Sequence, residues 1–140
     1  MNTSINNSSN ANRRYAGLWI RMAALYLVVG VAMGNYMGAT HDFALRSVHA
    51  HVNLLGWASM LGFGLVVQHW AATLSPRLVA LQFWLHQLAL PVMLGALAAL
   101  MRGVTAAGPL VGLGSAVVGV AVLAFAIAVW RGVGVKMQAA

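Results

Sequence analysis

Acidic side chains are almost absent from this chain. Asp42 is the only Asp or Glu side chain among 140 residues. A single chain therefore cannot carry out paired-carboxylate hydrolysis, enclose calcium or magnesium in carboxylates, or build a proton wire from Asp and Glu. Cysteine is absent as well. Its absence excludes disulfides, thiolate-bound zinc, iron–sulfur clusters, covalently attached c-type haem and cysteine nucleophiles.

Charged residues of either sign are also scarce. They make up 6% of the chain, and hydrophobic residues make up 61%, whereas a soluble domain carries about 25% charged residues. A free-standing water-soluble globule of this size could not bury so much apolar surface. The formal net charge is +7, but the basic residues are scattered rather than clustered on a polar surface. We therefore expect a lipid bilayer, and no nucleic acid, as the partner.

Four apolar stretches are each long enough to cross about 30 Å of hydrocarbon as a helix. Because the connections between them are short, we expect antiparallel neighbours, that is, an all-α, up-down-up-down four-helix bundle forming one domain over residues 15–135. A polar, disordered tail is predicted over residues 1–14, with no apolar stretch typical of a signal peptide, and a short tail over residues 136–140. The predicted spans cover residues 16–38, 48–72, 78–101 and 110–130.

The basic residues that flank the spans predict the orientation of the chain. The side with more basic residues should face the cytoplasm. Both termini are on that side, so we expect a multi-pass protein of a bacterial-type inner (plasma) membrane with cytoplasmic termini. The richer side holds Arg13, Arg14, Arg77, Arg131 and Lys136, and the other side holds Arg46 and Arg102.

Glycines recur at four-residue spacing in the first span. Gly30, Gly34 and Gly38 form two successive GxxxG steps, a pattern that lets helix backbones approach closely. The partner helix would belong either to the same chain or to a second copy. Self-association suits a bundle that is too small to enclose a site alone.

Histidine is the ionisable residue best placed for chemistry here, because an ionisable group at membrane depth is a candidate functional site. Imidazole nitrogen binds zinc, copper and haem iron. His41, His49 and His51 lie at the non-cytoplasmic end of the second span or in the loop before it. His69, at the cytoplasmic end, is typical of an interfacial anchor. His86, inside the third span, is either a ligand or a donor to a group on a neighbouring helix.

One stripe of the second span suits a flat macrocycle. His49, Asn53 and Gly56 are spaced i, i+4 and i+7 and share a helix face. A ligand followed by small or polar residues leaves room for a ring, on which Trp57 would stack. His51 points about 200° away from His49, so the two serve different partners unless the helix begins after His49.

The segment 45–57 resembles the start of the second transmembrane helix of the haem–copper oxidase catalytic subunit (subunit I), especially in C-type oxidases and nitric oxide reductases. There an Arg-x-x-His segment provides a ligand to low-spin haem b, and a glycine follows seven residues later. That pattern falls on Arg46, His49 and Gly56. The His-x-His segment, with His51, is also similar to the NnrS family of haem-containing membrane proteins.

The resemblance implies an architecture. The oxidase subunit has twelve helices in three pseudo-symmetric groups of four, and this chain is similar to one group. A homotrimer, favoured over a dimer, would rebuild a ring of twelve helices around haem.

The resemblance also implies roles for individual residues. His49 would bind the iron of haem b, and Asn53 or Arg46 would contact the other edge of the imidazole or a propionate. The second axial ligand would be His51, His41, His86 or a neighbour's His49. By its position, His86 is also the candidate ligand for a second metal such as copper.

The chain departs from the oxidase pattern in ways that bear on activity. It has no His-Pro-Glu-x-Tyr segment, no paired His in the third span and no membrane glutamate. These departures argue against a proton-pumping oxidase and leave open whether the protein is an enzyme. We expect a haem b protein that transfers electrons, with a donor protein or quinol as partner, or that binds O2 or NO.

Two alternatives remain at this stage. The first is a copper or other metal site built from the outer residues His41, Asp42, His49 and His51. The second is a cofactor-free assembly or accessory subunit, in which polar side chains hold helices together.

Overall fold

The computed structural model describes the backbone of residues 2–134 and the side chains of residues 6–134. Within that range the chain is helical, without strands, and four helices are long and apolar enough to span a membrane. The all-α prediction with four spans is confirmed, while the tail predicted over residues 136–140 lies outside the described residues. The helices are α1 (Asn2–Thr40), α2 (Arg46–His69), α3 (Pro76–Met101) and α4 (Gly108–Gly132).

The helix ends follow from local backbone chemistry. Helix α1 ends where His41 takes a φ of 54°, the left-handed conformation that commonly terminates a helix. Helix α3 begins with Pro76, whose fixed φ and missing N–H suit the first turn. It ends before Gly103, which has a φ of 92°. A single 3-10 turn, Thr105–Ala107, then leads into α4.

The structure places residues 2–14 in α1, where the sequence predicts a disordered tail. The contacts of Asn12 account for the difference at the end of this segment. The side chain of Asn12 is fully buried, and its Nδ2 donates to the carbonyl oxygens of Ala71 and Leu74, each at 2.9 Å. These two carbonyls lie just beyond the end of α2, where the helix no longer supplies donors. Asn12, although polar, therefore helps to hold α1 against the segment that follows α2.

The four helices form two hairpins. Helix α1 packs along α2, α3 packs along α4, and α1 also contacts α3. Glycines allow both hairpins to close. A Cβ on Gly64 of α2 would lie 3.2 Å from the backbone oxygen of Ala16 in α1. A Cβ on Gly114 of α4 would lie 2.8 Å from Cβ of Met93 in α3. Close approach between helices thus occurs within the chain at these two glycines, which lie outside the GxxxG pattern of the first span.

Aromatic rings join the two hairpins at the centre. Trp19 of α1 is fully buried, and its ring centroid lies 5.2 Å from that of Phe63 in α2 and 4.9 Å from that of Phe83 in α3. Phe63 also packs against Phe125 of α4, with centroids 4.5 Å apart. Side chains of all four helices therefore meet in one aromatic core, and this core positions α2 against the other helices.

Replacing Asn12 with alanine tests whether the N-terminal part of α1 is held in place. Asn12→Ala removes two hydrogen bonds and leaves the carbonyls of Ala71 and Leu74 without that donor. We expect the free energy of unfolding to fall by about 1–3 kcal/mol, measured by denaturant titration in mixed micelles. Asn10→Ala, at an exposed position of the same helix, is the control. Equal stability of the two variants would contradict the assignment.

Candidate functional site

Helix α2 contains a π-helical segment, Val52–Ala58, within the candidate site. At its end the backbone N–H of Ser59 donates to the carbonyl of Leu54, five residues back. In a regular α-helix this N–H would bond the carbonyl of Leu55, four residues back. The carbonyl of Leu55 is thus released from the usual pattern. Such π segments are frequent at functional sites.

His86 of α3 supplies the donor for the released carbonyl. Its Nε2–H donates to the Leu55 oxygen at 3.1 Å, and its side chain is fully buried. The imidazole lies edge-on to Trp19 and Phe63, with centroid distances of 5.3 and 5.6 Å. A proton on Nε2 leaves Nδ1 with a lone pair, and this buried Nδ1 has no hydrogen-bond partner among the described residues. Of the roles predicted for His86, the structure shows the bond to a neighbouring helix.

The helix face of His49, Asn53 and Gly56, which the sequence predicts to face a macrocycle, is covered by α1. A Cβ on Gly34 would lie 3.2 Å from Cε1 of His49, and one on Gly30 would lie 2.6 Å from Oδ1 of Asn53. Asn53 Nδ2 donates to the backbone oxygen of His49 at 2.9 Å and lies 3.3 Å from His49 Nε2 and 3.4 Å from Nδ1. The imidazole of His49 is therefore in contact with both Asn53 and α1.

Gly56 continues this contact one turn further along α2. It is buried, and a Cβ there would collide with the ring of Tyr26 of α1. In a single chain, the space beside Gly56 is occupied by Tyr26 rather than left for a ligand. The glycine pattern of α1 is resolved as well: Gly30 and Gly34 serve packing within the chain, whereas a Cβ on Gly38 would meet nothing within 4 Å.

His51 presents a different chemistry. Its Nδ1 lies 2.8 Å from the backbone oxygen of Ser47, and the side chain is half-buried. The carbonyl can only accept, so Nδ1 carries a proton, and in the neutral imidazole Nε2 then carries the lone pair. Metal-binding histidines commonly donate their second N–H to a carbonyl in this way, which fixes the ring and its tautomer. The ring of His51 is therefore held in one orientation by the backbone of its own helix.

The remaining predicted residues lie at the surface. Arg46 and His41 are exposed, and Trp57 is 36% exposed. Asp42 accepts a hydrogen bond from the N–H of Ala44 at 3.0 Å, which closes its own turn. Over the described part of the chain, no three His, Cys, Asp or Glu side chains form a group that could hold a metal ion. A single chain thus does not gather the outer residues predicted for copper.

His69 lies at the other end of α2. It is exposed, and its ring lies 4.4 Å from that of Trp70, centroid to centroid. This position fits the interfacial anchor that the sequence predicts. His69 is therefore a control on the same helix for the histidines near the start of α2.

Sequence reasoning missed two participants in this region. Tyr26 occupies the space at Gly56, and the backbone carbonyl of Leu55 is the partner of His86. A bulky residue facing a glycine on another helix has no local signature. The π segment keeps one series of buried residues at every fourth position of α2, a regularity that shows in the structure and not in the residue types. The series is Val48, Val52, Gly56, Met60 and Gly64, and Phe63 and Val67 are buried beside it.

Comparisons with known proteins give no relative. No family model matches the chain, and neither a curated protein nor a solved structure is detectably similar to it. The function therefore has to be argued from the residues and their geometry.

Adding a methyl group at Gly56 tests the contact between α1 and the π segment. Gly56→Ala places a Cβ against the ring of Tyr26, so we expect a loss of about 1–3 kcal/mol in the free energy of unfolding. Gly62→Ala, on the same helix, adds its Cβ where nothing lies within 4 Å, and we expect no loss of stability there. Denaturant titration in mixed micelles measures both. A Gly56→Ala protein as stable as Gly62→Ala would disprove the contact.

Proposed function

We propose that this protein binds b-type haem at the non-cytoplasmic end of α2 and that His51 is an axial ligand. The observation that carries the proposal is the hydrogen bond from His51 Nδ1 to the Ser47 carbonyl at 2.8 Å. It fixes the tautomer in which Nε2 is free to bind iron. The resemblance of the segment 45–57 to the haem-binding helix of haem–copper oxidases supports haem rather than another metal.

The ring would lie between copies of the chain. Helix α1 covers the stripe of His49, Asn53 and Gly56, so a macrocycle on that side would require α1 to move. A second copy packed beside the half-buried His51 would supply the missing wall and a second axial imidazole. We favour a homotrimer, because three copies give the twelve helices of the oxidase subunit that this chain resembles.

Five residues near the start of α2 have parts in this proposal. His51 holds the iron through a neutral imidazole, and the Ser47 carbonyl keeps that imidazole oriented. Arg46, exposed at the start of α2, would pair with a propionate, and Trp57, six residues beyond His51, would offer an aromatic surface. Bound haem supplies one-electron transfer with two axial ligands, or diatomic gas binding with one. His49 is the ligand implied by the resemblance and would bind only if α1, with Gly34, withdraws from its imidazole.

A cofactor-free accessory subunit is the second candidate. It is favoured by the way polar side chains are used within the chain. His49 and Asn53 pack on the glycines of α1, and His86 bonds the carbonyl of Leu55. Such contacts stabilise a helical membrane protein without any ligand. This candidate differs from the first in having no role for the free Nε2 of His51.

The orientation belongs to the proposal as well. We propose a bacterial-type inner membrane with both termini in the cytoplasm, because Arg13, Arg14, Arg77 and Arg131 then lie on the cytoplasmic side. The outer histidines would face the opposite side, within reach of an electron donor protein or of quinol in the bilayer.

A reduced-minus-oxidised visible spectrum of the detergent-purified protein tests haem binding. We expect a sharp alpha band of b-type haem, with near-stoichiometric haem in a pyridine haemochrome assay. His51→Ala should lower the haem content at least about tenfold, since loss of even a ligand's hydrogen-bond partner typically costs about 10–100-fold in metal affinity. His69→Ala, a histidine exposed at the other end of α2, should retain the wild-type spectrum.

Two outcomes would count against the proposal. A wild-type protein that stays colourless after reconstitution with haemin would exclude haem and favour the accessory subunit. A full alpha band in His51→Ala, together with its loss in His49→Ala, would place the ring on the α1 side of α2 instead.

Because the chain has no cysteine, a single introduced cysteine reports on which side of the membrane its loop lies. We expect Thr105→Cys, in the loop between α3 and α4, to react with a membrane-impermeant maleimide in intact bacterial cells. Ser75→Cys, in the loop between α2 and α3, should react only after the membrane is permeabilised. The reverse pattern would show that the termini are outside.

A further inference from the structure

A group of arginines on α1 has no part in the proposed haem site. Arg13, Arg14 and Arg21, with Gly17 and Leu18, line an open groove of about 340 Å³. The three arginines are exposed, and they surround Gly17 because positions separated by three or four residues share a helix face. Three arginine side chains thus line one groove near the start of the first predicted span.

No acidic side chain of the protein can neutralise this group. The only one, Asp42, is separated from Arg21 by 21 residues, and all but the last two of them belong to α1. At 1.5 Å per residue the separation is about 30 Å along the helix axis. An anion that pairs with this group would therefore come from outside the described side chains.

Gly17 forms the floor of the groove. A Cβ at this position would meet nothing within 4 Å, so helix packing gives no reason for a glycine here. Glycine in a helix interior is about 1 kcal/mol less favourable than alanine. What the missing side chain does provide is space between the guanidinium groups.

The groove continues from the arginines onto an apolar surface. A second groove of about 310 Å³ adjoins the first through Arg14 and Leu18 and is completed by Ala11, Tyr15 and Trp84. Leu18 is 39% exposed and Trp84 is 54% exposed. Arg21 lies about 7 Å inside the predicted start of the span, a depth from which its side chain can reach the interface.

We propose that this double groove binds an anionic phospholipid, with its phosphate among the three arginines and an acyl chain along Leu18 and Trp84. Charge complementarity favours an anionic head group, since basic pockets at the cytoplasmic interface attract such lipids. The apolar continuation favours a lipid over a soluble phosphate, which would leave Leu18 and Trp84 without a partner. This proposal is independent of haem.

Native mass spectrometry of the full-length protein tests the proposal. The micellar protein is mixed with equal amounts of phosphatidylglycerol and phosphatidylcholine that carry the same acyl chains. We expect wild type to retain phosphatidylglycerol preferentially. Arg14→Gln and Arg21→Gln should each weaken that retention about fivefold. Arg131→Gln, at an exposed position near the end of α4, removes the same charge outside the groove and should bind as wild type.

A second pair of variants tests the shape of the groove without changing the charge. Gly17→Leu should fill the floor and weaken phosphatidylglycerol binding at least about fivefold. Gly62→Leu adds the same side chain at another open position and should have no effect. Because neither glycine packs against a neighbour, both variants should fold.

Three results would overturn the proposal. The first is equal retention of the two lipids by wild type. The second is an equal loss in Arg131→Gln and Arg14→Gln, which would indicate a net-charge effect. The third is displacement of phosphatidylglycerol by a comparable concentration of glycerol 3-phosphate, which would assign the groove to a soluble anion.

Discussion

The hydrogen bond between His86 and the Leu55 carbonyl is the constraint on which the arrangement of α2 depends. A carbonyl released from its helix cannot turn to water inside a bilayer, and leaving it unpaired costs several kcal/mol. The π segment releases the Leu55 carbonyl, and His86 Nε2 meets it at 3.1 Å. The irregular helix and the buried histidine therefore stabilise each other, and their hydrogen bond joins the two hairpins.

The π segment in turn decides which side chains of α2 face the rest of the protein. Residues spaced by four drift about 40° per step around a regular α-helix. From Val48 to Gly64 the drift would reach about 160°, too much for one face. The additional residue in the π turn removes about 100° of this drift, so Val48, Gly56 and Gly64 are all buried. The contact of Gly56 with Tyr26, and with it the closure of α1 over the stripe of His49, follows from this local change.

Sequence reasoning predicted the four spans because hydrophobic length is a property of each segment alone. It also identified the glycines of α1 as sites of close approach, which Gly30 and Gly34 are. It could not predict that Tyr26 fills the space at Gly56, nor that Asn12 bonds two carbonyls beyond α2. Both contacts join residues far apart in sequence. The partner of His86 could not be predicted for another reason, since it is the backbone carbonyl of Leu55, which an irregular turn makes available.

His49 and His51, which belong to one His-x-His segment, have different physical roles in the structure. His49 and His51 are two residues apart, and a helix turns them to different sides. His49 lies against Gly34 and Asn53, where it stabilises the contact between α1 and α2. The backbone of the same turn holds the Nδ1 proton of His51 and leaves its Nε2 unengaged by that bond. A ligand role is thus more compatible with His51, because binding there does not require separating α1 from α2.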